Sequence, residues 1–286
     1  ENNKSHINLY VALGIKSRAC LAEGDWDGAF KAAKRVIDEG GYAVGTKSDL
    51  TGGMNSLDKQ NVMWGAGIQV ADQAGGYAGF FTHMDNKEGA YAKSAPKLIS
   101  KQLYNRISAT DIRRDWWDPS DKESPYVSKK FSFANVASFL GDYIYMRVEE
   151  MYFTAAEAAL RLDDLKSARE LMNTVMAERD PGYSANNRSG TLLGATTTTW
   201  TGSFLENILT HRRIELWGEY GRLFDVRRLG QGIDRRTDDG FSEECISMMN
   251  RRNVNITKAD TYDWVLTIPK AELDANPNIN EEDQNP

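Results

Sequence analysis

Residues 208–230, ILTHRRIELWGEYGRLFDVRRLG, gather His211, Arg212, Arg213, Glu215, Glu219, Arg222, Asp225, Arg227 and Arg228 among leucines and aromatic rings. A histidine beside two carboxylates is raw material for general acid–base catalysis, and an arginine cluster can grip an anion. The spacing argues against both. Arg212, Glu215, Glu219 and Arg222 recur at intervals of three, four and three, the neighbour distances of a helix surface. Two carboxylates bracketed by two guanidiniums satisfy one another, and that pairing lowers a carboxyl pKa, which opposes a general acid. No serine or cysteine stands near His211 in an elbow-like context, so a nucleophilic triad has no support. The expectation is a buried ion-pair spine on one helix running from 203 to about 223. Glu219 pairs there with Arg222 and Arg212, beside an apolar stripe of Leu205, Leu209, Leu216, Tyr220 and Leu223.

The elements that must hold this stretch follow from pattern. Residues 5–39 read as a helical hairpin broken at Gly24-Asp25 and capped by Gly40-Gly41. The segment YFTAAEAALRLDDLKSARELMNTVMAERD repeats it at an offset of 139, matching Ala19 to Ala158, Leu21 to Leu160, Asp25 to Asp164, Ala29 to Ala168 and Val36 to Val175. Small residues at the crossing and an acidic turn suit tightly packed antiparallel helices, as in tetratricopeptide-type units. Between the two hairpins lies an insertion of different composition. Val62, Trp64, Ala66, Ile68 and Val70 alternate as one face of a half-buried strand, which puts Trp64 in the core. Residues 71–96 carry four glycines and several rings without periodicity, 97–107 resume a helix, and YVSKKFSF forms a second strand. Residues 184–202 are a polar surface loop, Ser203 and Glu206 start the last helix, and proline and asparagine give the tail turns and extended backbone. The fold expected is mainly α: tetratricopeptide-like helical hairpins with a loop-rich insertion carrying short strands. It forms one domain over 1–286, with a hairpin at 1–45, the insertion at 46–142, and the second hairpin, last helix and tail at 143–286.

Composition narrows the partners. The 286 residues have a net charge of -6 and no basic run long enough to follow a phosphate backbone, which excludes nucleic acid. No apolar run approaches a membrane span. Cys20 and Cys245 sit in apolar helical patterns as buried free thiols, and His6, His83 and His211 are too scattered for a zinc site. No metal or cofactor is expected.

Three segments carry a family resemblance. HRRIELWGEYGRLFDVRRLG, YIYMRVEEMYFTAAEAAL and the ending IPKAELDANPNINEEDQNP resemble the SusD/RagB family of outer-membrane glycan-binding lipoproteins. The matching positions are Arg147, Glu150 and Ala156-Glu157-Ala158, then Glu215, Leu216, Glu219, Arg222, Asp225 and Arg228. MWG, FFTHMD and YNRISATDIRRDWW extend the likeness along the chain. His211 stands where the family usually has an acid, so one ion pair of the spine is expected to be missing. The tail carries an extra acidic run, Glu281-Glu282-Asp283. The lipidated cysteine and first helices expected of the family lie outside this sequence, whose first residues read as partway through the fold.

The resemblance implies a lid on a TonB-dependent outer-membrane transporter, tethered only through an N-terminal lipid, that captures oligosaccharides or similar nutrients and performs no chemistry. Sugar C–H faces stack on aromatic rings while hydroxyls need directional partners. Candidate ligand contacts are therefore Tyr77, Phe80, Phe81, His83, Asp85, Asn86 and Tyr91 in the glycine-rich stretch, with Trp116, Trp117 and Trp200. Adjacent rings such as Phe80 and Phe81, or Trp116 and Trp117, also suit a core. Two alternatives stay open. A glycoside hydrolase needs a facing carboxylate pair, for which Glu149, Glu150 and Glu157 could be invoked, although Glu157 and Arg161 are spaced as an ion pair. A helical-repeat scaffold for peptides or proteins needs a continuous array, where only two separated hairpins are visible.

Overall fold

The computed structural model describes residues 3–72, 79–234 and 266–284. The chain divides into two compact units, Glu1–Leu193 with Thr201–Arg222 and Gly194–Trp200 with Leu223–Pro286. The fold is mainly helical.

The first unit opens with the expected hairpin. In α1 (Leu9–Glu23) the Asn8 side chain accepts the Val11 N–H, and Gly24 ends the helix at φ 85°, a left-handed value that glycine adopts without strain. Asp25 then accepts the Gly28 N–H and starts α2 (Trp26–Glu39). A short α3 (Lys47–Thr51) leads to β1 (Val62–Ala66). The insertion continues through α4 (Phe80–Met84), α5 (Ala90–Ser94) and α6 (Lys101–Tyr104). Two-residue strands β2 (Trp117–Asp118) and β3 (Val127–Ser128) pair antiparallel, Trp117 opposite Ser128. Strand β4 (Tyr143–Arg147) returns to β1 and runs straight into α7 (Val148–Arg161), followed by α8 (Leu165–Ala177) and α9 (Phe204–Glu215). The second unit holds most of α10 (Arg222–Arg228), where Asp225 and Arg228 pair at 2.8 Å, and the tail helix α11 (Lys270–Ala275).

The internal repeat is physical. Asp164 accepts the Ser167 N–H as Asp25 accepts that of Gly28. Asp163, the counterpart of Gly24, is also left-handed at φ 62°, a conformation aspartate tolerates through local hydrogen bonding. Although a hundred residues separate the hairpins in sequence, α2 packs directly on α7, so the insertion loops out of a continuous helical stack.

Several expectations are corrected. The strand alternation fails at Trp64 because register shifts between Val62, Trp64 and Gly65 break the pleat. Val62, Met63 and Gly65 are buried, Trp64 is half-buried, and Val70 lies beyond the strand, 64% exposed. The 71–96 stretch contains α4 and α5, while residues 73–78 lie outside the described residues. The helix expected over 97–107 shrinks to α6. The strand expected in YVSKKFSF is reduced to Val127–Ser128. The tail is not irregular throughout, since α11 forms in it. Cys20 is a buried free thiol, and Cys245 falls outside the described residues.

The largest correction concerns the last helix. It stops at Glu215, and the chain turns through Gly218 (φ 74°) and Gly221 (φ 105°) before α10. Glu219 is therefore not on the face of Arg212. Tyr220 and Leu223 leave the apolar stripe and are 39% and 54% exposed. The ion pairs exist, but with distant partners. Glu215 is fully buried and takes hydrogen bonds from three guanidiniums: Arg147 at 3.0 Å, Arg113 at 3.1 Å, and Arg179 at 2.9 and 3.0 Å. Burial alone would raise its pKa. Arg179, Arg147 and Arg113 outweigh burial and hold the carboxyl well below its usual range. Glu219 accepts both Arg147 Nε and Nη2 at 2.8 Å and Lys130 Nζ at 2.6 Å. Lys130 also donates to the carbonyls of Glu215 and Trp217, closing the end of α9. Glu150 receives Arg18 bidentately at 2.8 and 2.7 Å, with Arg212 3.5 Å away. His211 lies in the same interior, its Nδ1 2.8 Å from Arg113 Nη2. Burial and then the Arg113 charge push its pKa well below the usual value, so the neutral ring accepts from the guanidinium.

Two predictions follow from these partners. Glu219→Ala strips Arg147 and Lys130 of a shared counter-ion whose side chain is only 9% exposed. The expected loss is about 3 kcal/mol in urea denaturation. A loss below about 0.5 kcal/mol would contradict a buried spine. His211 has a folded pKa below its unfolded value of about 6.5, so the unfolded chain takes up a proton that the folded chain refuses. Its contribution is complete above about pH 6.5 and is lost as pH falls from there. Denaturation of the parent at about pH 7.5 and about pH 5.5 should show this loss, and His211→Gln, which keeps an acceptor but cannot titrate, should show less of it. Equal acid losses in both proteins would remove His211 as the cause.

Candidate functional site

The bulge that spoils the alternation of β1 turns Trp64 toward a cavity of about 510 Å³. Strand β4 supplies Tyr143 and Tyr145, α4 supplies Phe80, and the turn after α9 supplies Glu219 and Tyr220. Arg18 reaches in from α1. Trp64 and Tyr145 meet edge to face, with centroids 5.0 Å apart and planes at 68°. The Arg18 guanidinium lies 3.8 Å over the ring of Tyr220, and Phe80 sits edge-on to Phe131 at 5.2 Å. Tyr145 and Tyr220 remain 41% and 39% exposed. Several apolar faces around an open space, with few polar groups aimed inward, form the usual composition of a small-ligand site.

Those polar groups are held from behind. Burial works against ionisation of Glu219, yet Arg147 and Lys130 keep its carboxyl below the usual range. Burial pulls Lys130 down to about 8 against the attraction of Glu219. A carboxylate in this state accepts hydrogen bonds and does not serve as an acid. The other acids that a hydrolase could use are also committed. Glu149 receives Arg179, Asn61 and the Gly45 N–H, each at 2.9 Å, Glu150 receives Arg18, and fully buried Glu157 faces Arg161 at 3.7 Å. None of the three lines the cavity.

The residues singled out in the sequence scatter. Phe80 lines the cavity. Phe81, Trp116 and Trp117 are 1%, 3% and 1% exposed in the aromatic core and present no face to a ligand. His83 and Tyr91 are both exposed and stack in parallel, centroids 4.6 Å apart and planes at 6°. Because His83 follows Phe80 by three residues on α4, this platform begins one helical turn from the cavity wall. Asp85 is buried and accepts the backbone N–H groups of Lys87, Glu88 and Phe133, each at 3.0 Å. Asn86 ties Ser128 O and Lys97 N, both at 2.8 Å. These two serve the loop framework and border a more polar depression of about 690 Å³ with Asp118 and Lys129. Tyr77 lies outside the described residues, and Trp200 is half-buried in the second unit. Sequence reasoning missed Arg18, Trp64, Tyr143, Tyr145 and Tyr220. Tyr143 and Tyr145 do alternate in YIYMR, but only the pairing of β4 with the bulged β1 reveals what they face.

No helix among the described residues is long and apolar enough to cross a membrane. Among curated proteins none is detectably similar to the chain. Solved structures are. A SusD-like carbohydrate binding protein from Bacteroides vulgatus superposes with a TM-score of 0.76 at 25% identity over 98% of this chain and 60% of its own. A SusD superfamily protein from Bacteroides thetaiotaomicron gives 0.74 at 23% identity, covering 100% of this chain and 62% of its own. Surface glycan-binding protein A from Bacteroides uniformis gives 0.62 at 17% identity, with coverages of 100% and 62%. The chain thus spans about three-fifths of the length of these solved relatives. The SusD family model matches residues 120–286, more than half of the chain and the region that carries the spine of Glu215 and Glu219. The chain belongs to the SusD family.

Proposed function

We propose that this protein captures oligosaccharides at a cell surface by stacking sugar rings in the cavity of Trp64, Phe80, Tyr145 and Tyr220. The observation that carries the reading is the aromatic corner of Trp64 and Tyr145 opening beside Glu219 and Arg18. It offers flat apolar faces for pyranose C–H groups together with an acceptor and a donor for hydroxyls. The names of two similar structures, a SusD-like carbohydrate binding protein and a surface glycan-binding protein, agree with it. His83 and Tyr91 extend the surface for a longer chain, with Tyr77 and Trp200 as further contacts to test by substitution. Asp85 and Asn86 act from behind as supports of the loop.

The captured sugar passes to a TonB-dependent transporter in the outer membrane, which the protein covers while held by an N-terminal lipid. The two hairpins act as tetratricopeptide-type units in that assembly. The protein breaks no glycosidic bond, because its candidate acids are ion-paired.

Binding should be metal-independent and in the micromolar to millimolar range, since partly exposed stacking supplies roughly 1 kcal/mol per ring. Changing Trp64 and Tyr145 together to Ala should weaken a bound glycan by about thirtyfold with little change in thermal midpoint. Calorimetry against a glycan panel measures the first, and chromatography of the same mixtures checks that no product forms. Unchanged affinity in the double variant would move the site elsewhere, and product release lost on Glu substitution would make the protein a hydrolase.

A further inference from the structure

We propose that the aromatic cavity selects uncharged sugars and rejects acidic ones. This rests on the glycan-binding reading of the cavity and deepens it.

Among the cavity's described lining residues, Arg18 is the only cation and Glu219 the only acid. Both are matched before any ligand arrives. Arg18 is clamped to Glu150 through two hydrogen bonds, donates a further one to the Tyr145 carbonyl, and lies flat on Tyr220. Glu219 is matched by Arg147 and Lys130. A carboxylate or sulfate entering this apolar space gives up its water and, among the described lining residues, meets no cation that lacks a counter-ion, while Glu219 is held ionised. Removing an ion from water under those conditions is costly, and a neutral hydroxyl does not bear that cost.

The hydrogen-bonding capacity left over suits hydroxyls. Glu219 Oε2 accepts one hydrogen bond, from Arg147 Nε, and keeps room for another donor. Arg18 Nη1, the Trp64 indole N–H and the Tyr145 hydroxyl make no hydrogen bond among the described residues. A sugar hydroxyl both donates and accepts, so one vicinal pair can serve the carboxylate and these donors together. A uronate carboxylate accepts only, so it can use the donors but offers nothing to Glu219. Arg18 Nη1 can still reach such a group, but the positive charge behind it is already balanced by Glu150.

The test uses sugars that differ only in whether C6 is a carboxylate or a neutral hydroxymethyl group. The full chain is titrated calorimetrically with oligosaccharides of mannuronan, glucuronan and galacturonan and with the carboxyl-reduced product of each, which are neutral chains of the same linkage and length. The neutral member of at least one pair should bind on the order of tenfold more tightly, or better, and Trp64→Ala should remove that binding. An acidic member that binds as well as its reduced partner, and that Trp64→Ala also abolishes, leaves the cavity as the glycan site and overturns the charge selectivity. Binding that survives both Trp64→Ala and Tyr145→Ala, or no binding in any pair, defeats the cavity reading and this inference together. A second variant tests the cause. Glu150→Gln, with folding checked by circular dichroism, leaves Arg18 without its balancing charge and should narrow the gap within a pair. A folded Glu150→Gln protein with an unchanged gap refutes the matched-charge explanation, and if that variant does not fold, the paired titrations of the parent decide.

Discussion

The structure depends on a carboxylate that cannot stand alone. Glu215 is buried without solvent, and an isolated ionised carboxyl there would cost several kcal/mol. Three guanidiniums make it tolerable, and each comes from a different part of the chain: Arg113 from the insertion, Arg147 from the end of β4, and Arg179 from just beyond α8. Those cations are equally intolerable unpaired, so Asp111, Glu149 and Glu219 are recruited in turn. No segment can bury its charge before the others arrive. The network therefore gives little net stability over an apolar core of the same shape, but it ties helix, strand and insertion into one arrangement and penalises every partial one.

That constraint reaches the cavity through a single turn. Arg147 and Lys130 hold Glu219 from behind, Lys130 closes the last carbonyls of α9, and Gly218 supplies the left-handed backbone by which the chain reverses. A Cβ at Gly218 would meet the ring of Phe131 at 2.6 Å, so even alanine would push on the cavity wall. The direction of Tyr220, the next residue, is inherited from the clamp on Glu219. The charges that resemble an active site in the sequence are thus ion-paired and shape the cavity wall.

How much of this could be read in advance divides along the range of the interactions. The hairpins, their caps at Asp25 and Asp164 and their repeat at an offset of 139 were legible because helix periodicity and capping are local. Burial of the charged spine was legible as well, since Arg and Glu at helical spacing amid leucines imply it. The partners were not. Helical spacing proposes Arg222 for Glu219, while two glycines end the helix first and pass Glu219 to Arg147 and Lys130, from seventy to ninety residues away in sequence. The aromatic loop misled for a related reason. Phe81, Trp116 and Trp117 are the hydrophobic centre that lets an insertion poor in regular structure hold together, so dense rings marked a core and not a surface. Trp64 was misread in the opposite sense, because alternation assumes a regular pleat and a bulge inverts the assignment.

The cavity's rigidity bears on how such a site can work with modest contacts. Trp64 and Tyr145 stand on paired strands, Tyr220 follows a clamped turn, and Arg18 is fixed by three hydrogen bonds and a ring contact. Little side-chain freedom remains to be lost when a ligand arrives, so most of the stacking energy appears as affinity instead of being spent on ordering. A rigid wall also cannot adapt to a charge it does not already match. The proposed selectivity then rests on the prior pairing of Arg18 with Glu150. The demand for buried charges to be satisfied, which organises the fold around Glu215, is the same demand that leaves the cavity apolar, polar in two places and electrically balanced.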